Sequence, residues 1–224
     1  MSEQRADFPG SRGRTGLFVS FEGPEGAGKS TQAEALAQAL QRRGLEVVLV
    51  REPGGTGLGE ALRELIQNPD APGQVCPEAE LLMFGASRAQ LVRSVIRPAL
   101  ARRQVVICDR FADSTSVYQG CGRGLPGGFI RALHEFTVGA TWPDRTFLLD
   151  VPVEQGFARK RRGVAGALQL DRIERETVDF HERVRRGFLD LARREPGRFV
   201  VLDGMAPFQN LHERILEAVL HALG

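Results

Sequence analysis

Residues 17–31 read Leu17-Phe18-Val19-Ser20-Phe21-Glu22-Gly23-Pro24-Glu25-Gly26-Ala27-Gly28-Lys29-Ser30-Thr31. A short, apolar, β-rich run passes directly into a loop that satisfies G-x-x-x-x-G-K-[ST], and a helix-compatible stretch follows. Glycines let the chain curl so that successive N–H groups converge on polyphosphate oxygens, and the next helix turns its positive end to the same anion. Gly23, Pro24, Glu25, Gly26, Ala27, Gly28, Lys29, Ser30 and Thr31 therefore form the candidate site for the phosphates of ATP. Lys29 supplies a point charge and Ser30 a hydroxyl ligand for Mg²⁺. A glycine turn that merely joined strand to helix would need neither the Lys29-Ser30 pair nor the strand before it.

Similar apolar runs recur at 46–50, 105–108, 146–151 and 199–202, separated by helix-compatible stretches. Near-continuous apolarity is that of strands covered on both faces, and strands alternating with helices indicate a parallel sheet with right-handed crossovers. The fold class is α/β, with a five-stranded parallel sheet flanked by helices. Periodicity places helices at 29–43, ending at Gly44, at 77–102, with Pro98 bending or breaking the last part, and at 128–139, 154–162, 171–195 and 207–223. No internal repeat or long linker is visible. One domain over 16–224 is expected, preceded by a loose arm at 1–15.

The bulk composition excludes several partners. Lys plus Arg number 30 and Asp plus Glu 28, a net charge of +2, which announces neither a nucleic acid nor a membrane surface. Cys76, Cys108 and Cys121 contain no C-x-x-C pair, so neither a disulfide framework nor a thiolate zinc site is suggested, and a cytoplasmic location fits. The scattered spacing of His134, His181, His212 and His221 matches no metal-ligand pattern.

In an open parallel sheet, ligands collect at the carboxyl ends of the strands. The run at 105–108 leads into Asp109-Arg110, where Asp109 can face the metal and Arg110 a phosphate. Arg51-Glu52-Pro53-Gly54-Gly55-Thr56 follows the second strand and belongs on the same edge. Phe84 and Arg88 stand four apart on a helix, an aromatic plate beside a planar fork of donors that could sandwich and read a base. On spacing alone the favoured reading is plainer: Phe84 is core and Arg88 a surface charge.

These blocks together resemble the bacterial thymidylate kinase family, whose members phosphorylate dTMP with ATP. The resemblance rests on residues 21–31 and 51–56, on Leu82-Met83-Phe84 with Arg88-Ala89-Gln90-Leu91, on Asp109-Arg110 with Ser114 and Tyr118-Gln119-Gly120, and on Leu170-Asp171-Arg172-Ile173-Glu174. It implies that Glu25 approaches the acceptor's sugar 3′-hydroxyl, that Phe84 stacks on thymine, that Arg88 hydrogen-bonds its O4 edge, and that Thr115 lies near the base. Arg63 and Arg110 would hold the acceptor phosphate, with Arg51 nearby. Tyr118 would crowd the sugar 2′ position, with Gln119 beside it, and Asp109 would assist the magnesium. The family also implies a homodimer through the helix beginning near Pro77.

The segment 158–170 sets Arg159, Lys160, Arg161 and Arg162 beside a small-residue stretch, the composition of a lid that closes on ATP. A solvated basic helix end is the plainer reading. Gly26 stands where some members of the family carry an arginine, and the resemblance implies that the lid supplies that charge from Arg159, Arg161 or Arg162. Two rivals remain: a kinase for another nucleoside monophosphate, and a nucleotide-dependent switch or assembly ATPase.

Overall fold

The computed structural model describes residues 16–69, 75–162 and 170–224; of Arg162 only the backbone is described. The expected arm at 1–15 and the lid residues 163–169 lie outside these. The described residues build a parallel sheet of five strands, β1 (Phe18–Glu22), β2 (Val47–Arg51), β3 (Val105–Asp109), β4 (Arg145–Asp150) and β5 (Phe199–Asp203), in the order β2-β3-β1-β4-β5. The α/β reading holds. β1 pairs with β3 and β4, so its carboxyl end, where the phosphate loop begins, occupies the middle of the sheet edge.

Alternation along the strands divides the core. Val19, Phe21, Val105, Ile107, Phe147 and Leu149 face a layer made by α1 (Lys29–Gln41) and α9 (Phe208–Leu223), which contributes Leu36, Leu40, Ile215 and Val219. On the opposite face Phe18, Val106 and Cys108 meet Leu91 and Ile96, while Leu148 meets Val184 and Phe188 of α8 (Val178–Arg194). The central strands β1 and β3 are buried on both faces up to their last residues. The edge strands are not: β2 and β5 keep Leu49 and Val201 exposed, so burial on both faces, expected for all five, is confined to the interior of the sheet.

Three helical segments depart from the periodic reading. The stretch 77–101 is α3 (Pro77–Leu91), a π-helical turn (Val92–Ile96) and α4 (Arg97–Ala101). Pro98 neither breaks it nor ends it, because the wider turn just before Pro98 carries the i to i−5 bond from Arg97 N–H to Val92 O and relieves the clash a proline ring makes in a regular helix. The helix expected at 171–195 begins only at Val178. Asp171 Oδ1 accepts from the N–H groups of Ile173 and Glu174, holding 171–176 as a turn, and Thr177 Oγ1 then caps α8 by accepting from Phe180 N–H at 3.2 Å. A helix not foreseen, α2 (Gly57–Gln67), starts at Thr56, whose Oγ1 accepts from Gly59 N–H at 3.0 Å. The short α5 (Ala112–Thr115) and a second π-helical turn (Ser116–Gly122) follow β3. The remaining helices are α6 (Gly127–Thr137) and α7 (Val153–Arg162).

Candidate active site

A cleft of about 910 Å³ runs along the carboxyl edge of the sheet. It is lined by the phosphate loop from Glu25 onward, the segment after β2, Arg63, Phe84 and Arg88, the start of the segment after β3, and Lys160 with Asp171 and Glu174.

At its centre Lys29 is buried, and its Nζ donates to the carbonyls of Pro24 at 2.8 Å and Gly23 at 3.2 Å. Burial, then the neighbouring Arg110, pushes the Lys29 pKa down to about 8 against the pull of Glu25, Asp109 and Glu22. Gly28 at φ 88° and Gly26 at φ 68° supply the left-handed turns that curl the loop. Ser30 Oγ donates to Asp109 Oδ2, which brings together the two residues assigned to magnesium. A hydroxyl and a carboxylate are the hard oxygen donors that Mg²⁺ takes. Among the described residues no cluster of three or more His, Cys, Asp or Glu offers an all-protein cage, so a partial shell completed by water and phosphate oxygens fits what is present.

Arg110 sits just past β3 in the left-handed region at φ 67°, an unusual conformation for a residue with a side chain. That turn aims its guanidinium back across the loop: Nη1 donates to Gly23 O at 3.0 Å and Nη2 to Glu25 Oε1 at 2.5 Å. Tyr118 Oη donates to the same Glu25 oxygen at 2.7 Å. Burial raises the pKa of Glu25, but Arg110, then Lys29 and the tyrosine hydroxyl, outweigh it and hold the carboxyl at about 2. Glu22, at the end of β1, braces the arrangement by accepting from Phe111 N–H at 2.8 Å and Ser114 Oγ at 2.6 Å. Burial and the nearby Asp113 push its pKa up to about 8, against Arg110 and these two hydrogen bonds.

Arg63 lines the cleft and donates to Pro53 O at 3.0 Å; burial, then Arg51, lowers its pKa. Arg51 is half exposed and paired with Glu60 at 2.8 Å, at the mouth of the same cleft. Phe84 lines the wall and is partly buried. Arg88 overturns the plainer reading of it as a surface charge: it is 1% exposed, the largest fully buried side chain among the described residues. Its Nε donates to Glu52 Oε2 and its Nη2 to Thr115 Oγ1, each at 2.8 Å. Thr115 is buried behind Arg88 and is not on the cleft wall. Gln119 reaches the wall, yet its Nε2 donates to Glu80 Oε1 at 2.7 Å.

The basic segment divides. Arg159 Nη1 donates to Gly204 O at 2.8 Å and Arg161 is exposed; neither lines the cleft, and the Arg162 side chain is outside the described residues. Lys160 is the cation of this group on the wall, paired there with Glu174. Glu174, Asp171 and Glu52 were assigned no role from sequence. Their only advance signal is membership in the matching blocks, because the side chains that Glu52 and Glu174 pair with, Arg88 and Lys160, lie many residues away and no periodicity announces them.

The sequence model of the family described as thymidylate kinase matches residues 21–215. The thymidylate kinase of Pseudomonas fluorescens (strain SBW25) is 50% identical over 210 residues, which cover 93% of this chain and 97% of that one. That of Kosmotoga olearia is 44% identical over 207 residues, 92% of this chain and 97% of that one. The crystal structure of thymidylate kinase from Ehrlichia chaffeensis superposes with a TM-score of 0.72 at 34% identity, covering 91% of this chain and 98% of that one. With a strand-to-loop phosphate site, a buried arginine on the cleft wall and full-length likeness to these proteins, the chain belongs to the thymidylate kinase family.

Proposed function

We propose that the cleft transfers the γ-phosphoryl group of ATP to dTMP, giving dTDP and ADP, with Mg²⁺ as cofactor. The observation that carries this reading is the gathering of cations along one cleft: Lys29, Arg110 and Arg63 line it, and Arg110 is bonded there to Glu25. The attacking group is a phosphate monoester oxygen, whose second pKa is about 6, so it is largely ionised at neutral pH and needs no general base. What the reaction requires is neutralised charge between two polyanions and in-line alignment, which arginine and lysine supply.

Gly23 to Thr31 bind the donor phosphates, Lys29 exchanging its two carbonyl partners for phosphate oxygens. Ser30 and Asp109 hold the magnesium, which when bound neutralises charge on the donor phosphates. Arg110 and Arg63, with Arg51 at the mouth, take the acceptor phosphate. Glu25 meets the sugar 3′-hydroxyl, and Tyr118, tied to Glu25, walls the 2′ position against a ribose hydroxyl, with Gln119 beside it. Phe84 and Arg88 receive the base. Lys160 and Arg161 are cations of the lid helix, and Arg159 anchors that helix to Gly204.

The proposal includes a homodimer. Leu82 on α3, and Phe129 and Phe136 on α6, are exposed, Phe136 to 87%, and Gly85 of α3 packs against Leu133 of α6. These side chains give the two helices an apolar outer face. Among the described residues no helix is long and apolar enough to cross a membrane, and Cys76, Cys108 and Cys121 are free thiols, which suits the cytoplasm.

The test is a coupled ADP-release assay with dTMP, dUMP, dCMP, dGMP and AMP. Preferred turnover of dTMP is expected. Equal use of the other monophosphates, or rapid ATP hydrolysis with no acceptor, would overturn the reading.

A further inference from the structure

Arg198, just before β5, spends all five of its N–H donors inside the protein. Nε and Nη2 donate to Glu195 Oε2 at 2.8 and 2.5 Å, and Nη2 also to Asp113 Oδ1 at 2.8 Å. Nη1 donates to Asp113 Oδ2 at 2.6 Å and to Thr146 Oγ1 at 2.8 Å, and Thr146 Oγ1 lies 2.9 Å from Ser20 Oγ of β1. The guanidinium carbon stands 4.6 Å from the centre of the Phe199 ring and 5.3 Å from that of Trp142, so the faces of the group are held as well as its edges. Asp113 is 1% exposed, and none of these side chains lines the cleft. A buried ion pair is weak evidence for stability, because well-packed apolar residues of the same volume often serve as well. What a fully bonded fork does fix is geometry.

The geometry fixed here belongs to a segment that the cleft uses. Asp113 sits in α5, three residues past Arg110 and five before Tyr118, and those two side chains meet on Glu25 Oε1. The left-handed conformation of Arg110 persists only where its surroundings over-determine it. One hold comes from β1: Arg110 N–H donates to Phe21 O at 3.0 Å, and Glu22 accepts from Phe111 N–H and Ser114 Oγ. Asp113 is the second hold, tying the four residues of α5 to β4 and β5 through Thr146 and Arg198. A helix of one turn has little stability of its own and takes its place from such contacts. On the dTMP reading above, we propose that Arg198 is a positioning residue for transfer to the acceptor. Through Asp113 it fixes residues 110–118, so that Arg110 meets the acceptor phosphate and Tyr118 closes the sugar 2′ position. A displacement of about 1 Å, caused far from the chemistry, can cost about a hundredfold in rate.

The test is Arg198→Met, which keeps an apolar stem and removes every donor, assayed well below the melting temperature of the variant. Its kcat/KM for dTMP should fall at least about tenfold, with KM for dTMP raised and KM for ATP changed less. The preference for dTMP over the corresponding ribonucleotide should fall several-fold as Tyr118 loses its place. A role in stability alone would lower the melting temperature and scale the apparent kcat with the folded fraction. It would leave both KM values and the deoxyribose preference as they are in the unaltered protein, and that result would overturn the proposal. Should Arg198→Met not fold, Asp113→Asn carries the same test, since it keeps the side-chain shape and weakens the clamp. A higher KM for dTMP and a reduced deoxyribose preference are expected of it, and unchanged values would count against the clamp. Failure of the unaltered protein to turn over dTMP would instead remove the kinase reading on which the proposal rests.

Discussion

Gly26 of the phosphate loop and Gly156 of α7 meet backbone to backbone: a Cβ on Gly26 would collide with the carbonyl of Gly156, and a Cβ on Gly156 with the carbonyl of Glu25. Gly26 also has φ 68°, a value that penalises any side chain. The first turns of the lid helix thus rest directly on the loop, and the space an arginine at position 26 would need is filled by main chain. Gly26→Ala is expected to cost roughly 1–3 kcal/mol of stability and to lower kcat by displacing α7 from the loop. Gly44→Ala is the control, since φ 79° with open space around it costs about 1 kcal/mol and leaves kcat unchanged. Thermal melting and steady-state kinetics on the two variants check the difference.

Among the described residues the direct partners of Lys29 are two loop carbonyls, and burial already disfavours its charge. Lys29→Ala should abolish turnover with every acceptor while leaving the melting temperature within a few degrees of the wild type. Loss of activity toward dTMP alone would contradict a donor-side role.

Removing Arg88 exposes the cost of its partner. Arg88→Ala should lose thymine recognition, and it should also destabilise the fold by about 3–5 kcal/mol, because the buried Glu52 would be left without its partner. The double variant Glu52→Leu with Arg88→Met should recover most of that stability and none of the dTMP affinity. Urea unfolding alongside dTMP titration separates the two effects.

Glu22 makes stability depend on pH in a definite direction. Its carboxyl is protonated up to about pH 8 when folded, against 4.5 ordinarily, so between these values the folded chain binds the extra proton. The contribution of this group is complete below pH 4.5, declines as pH rises, and levels off above about pH 8. Glu22→Gln has no such proton. Its stability relative to the wild type should therefore climb across that window and then stay flat, whereas His134, held neutral by burial down to about pH 3, cancels in the difference. Denaturant melts at a series of pH values give the test.

The strands and the phosphate loop were legible because their signals are local: an apolar run, glycines at fixed offsets, and a Lys-Ser pair. Arg88 was not, since its burial depends on Glu52, thirty-six residues earlier, and on Thr115, twenty-seven later, which fold onto it from just past β2 and from the end of α5. The same long range hid Glu80, a buried carboxylate that accepts from Gln119, Arg123 and Arg172 and so ties α3 to the turn before α8. Periodicity carried the helix reading past Asp171 because Arg172 to Glu176 are good helix formers, while the capping done by Asp171 and Thr177 is a side-chain event that an apolar pattern does not register. In the basic run the sequence offers Arg159, Arg161 or Arg162, and not Lys160, as the charge that the lid supplies. Only the direction of each side chain from α7 separates Lys160 on the wall from Arg159 on Gly204.

The grip of Lys29 on its own loop has a thermodynamic corollary. The ammonium is already solvated by main-chain oxygens before any nucleotide arrives, so ATP competes with an internal surrogate rather than filling a bare charge. Affinity at this site is the small difference between two well-satisfied states. A nucleotide can therefore be held firmly enough to react and still depart as diphosphate once its terminal phosphoryl has gone.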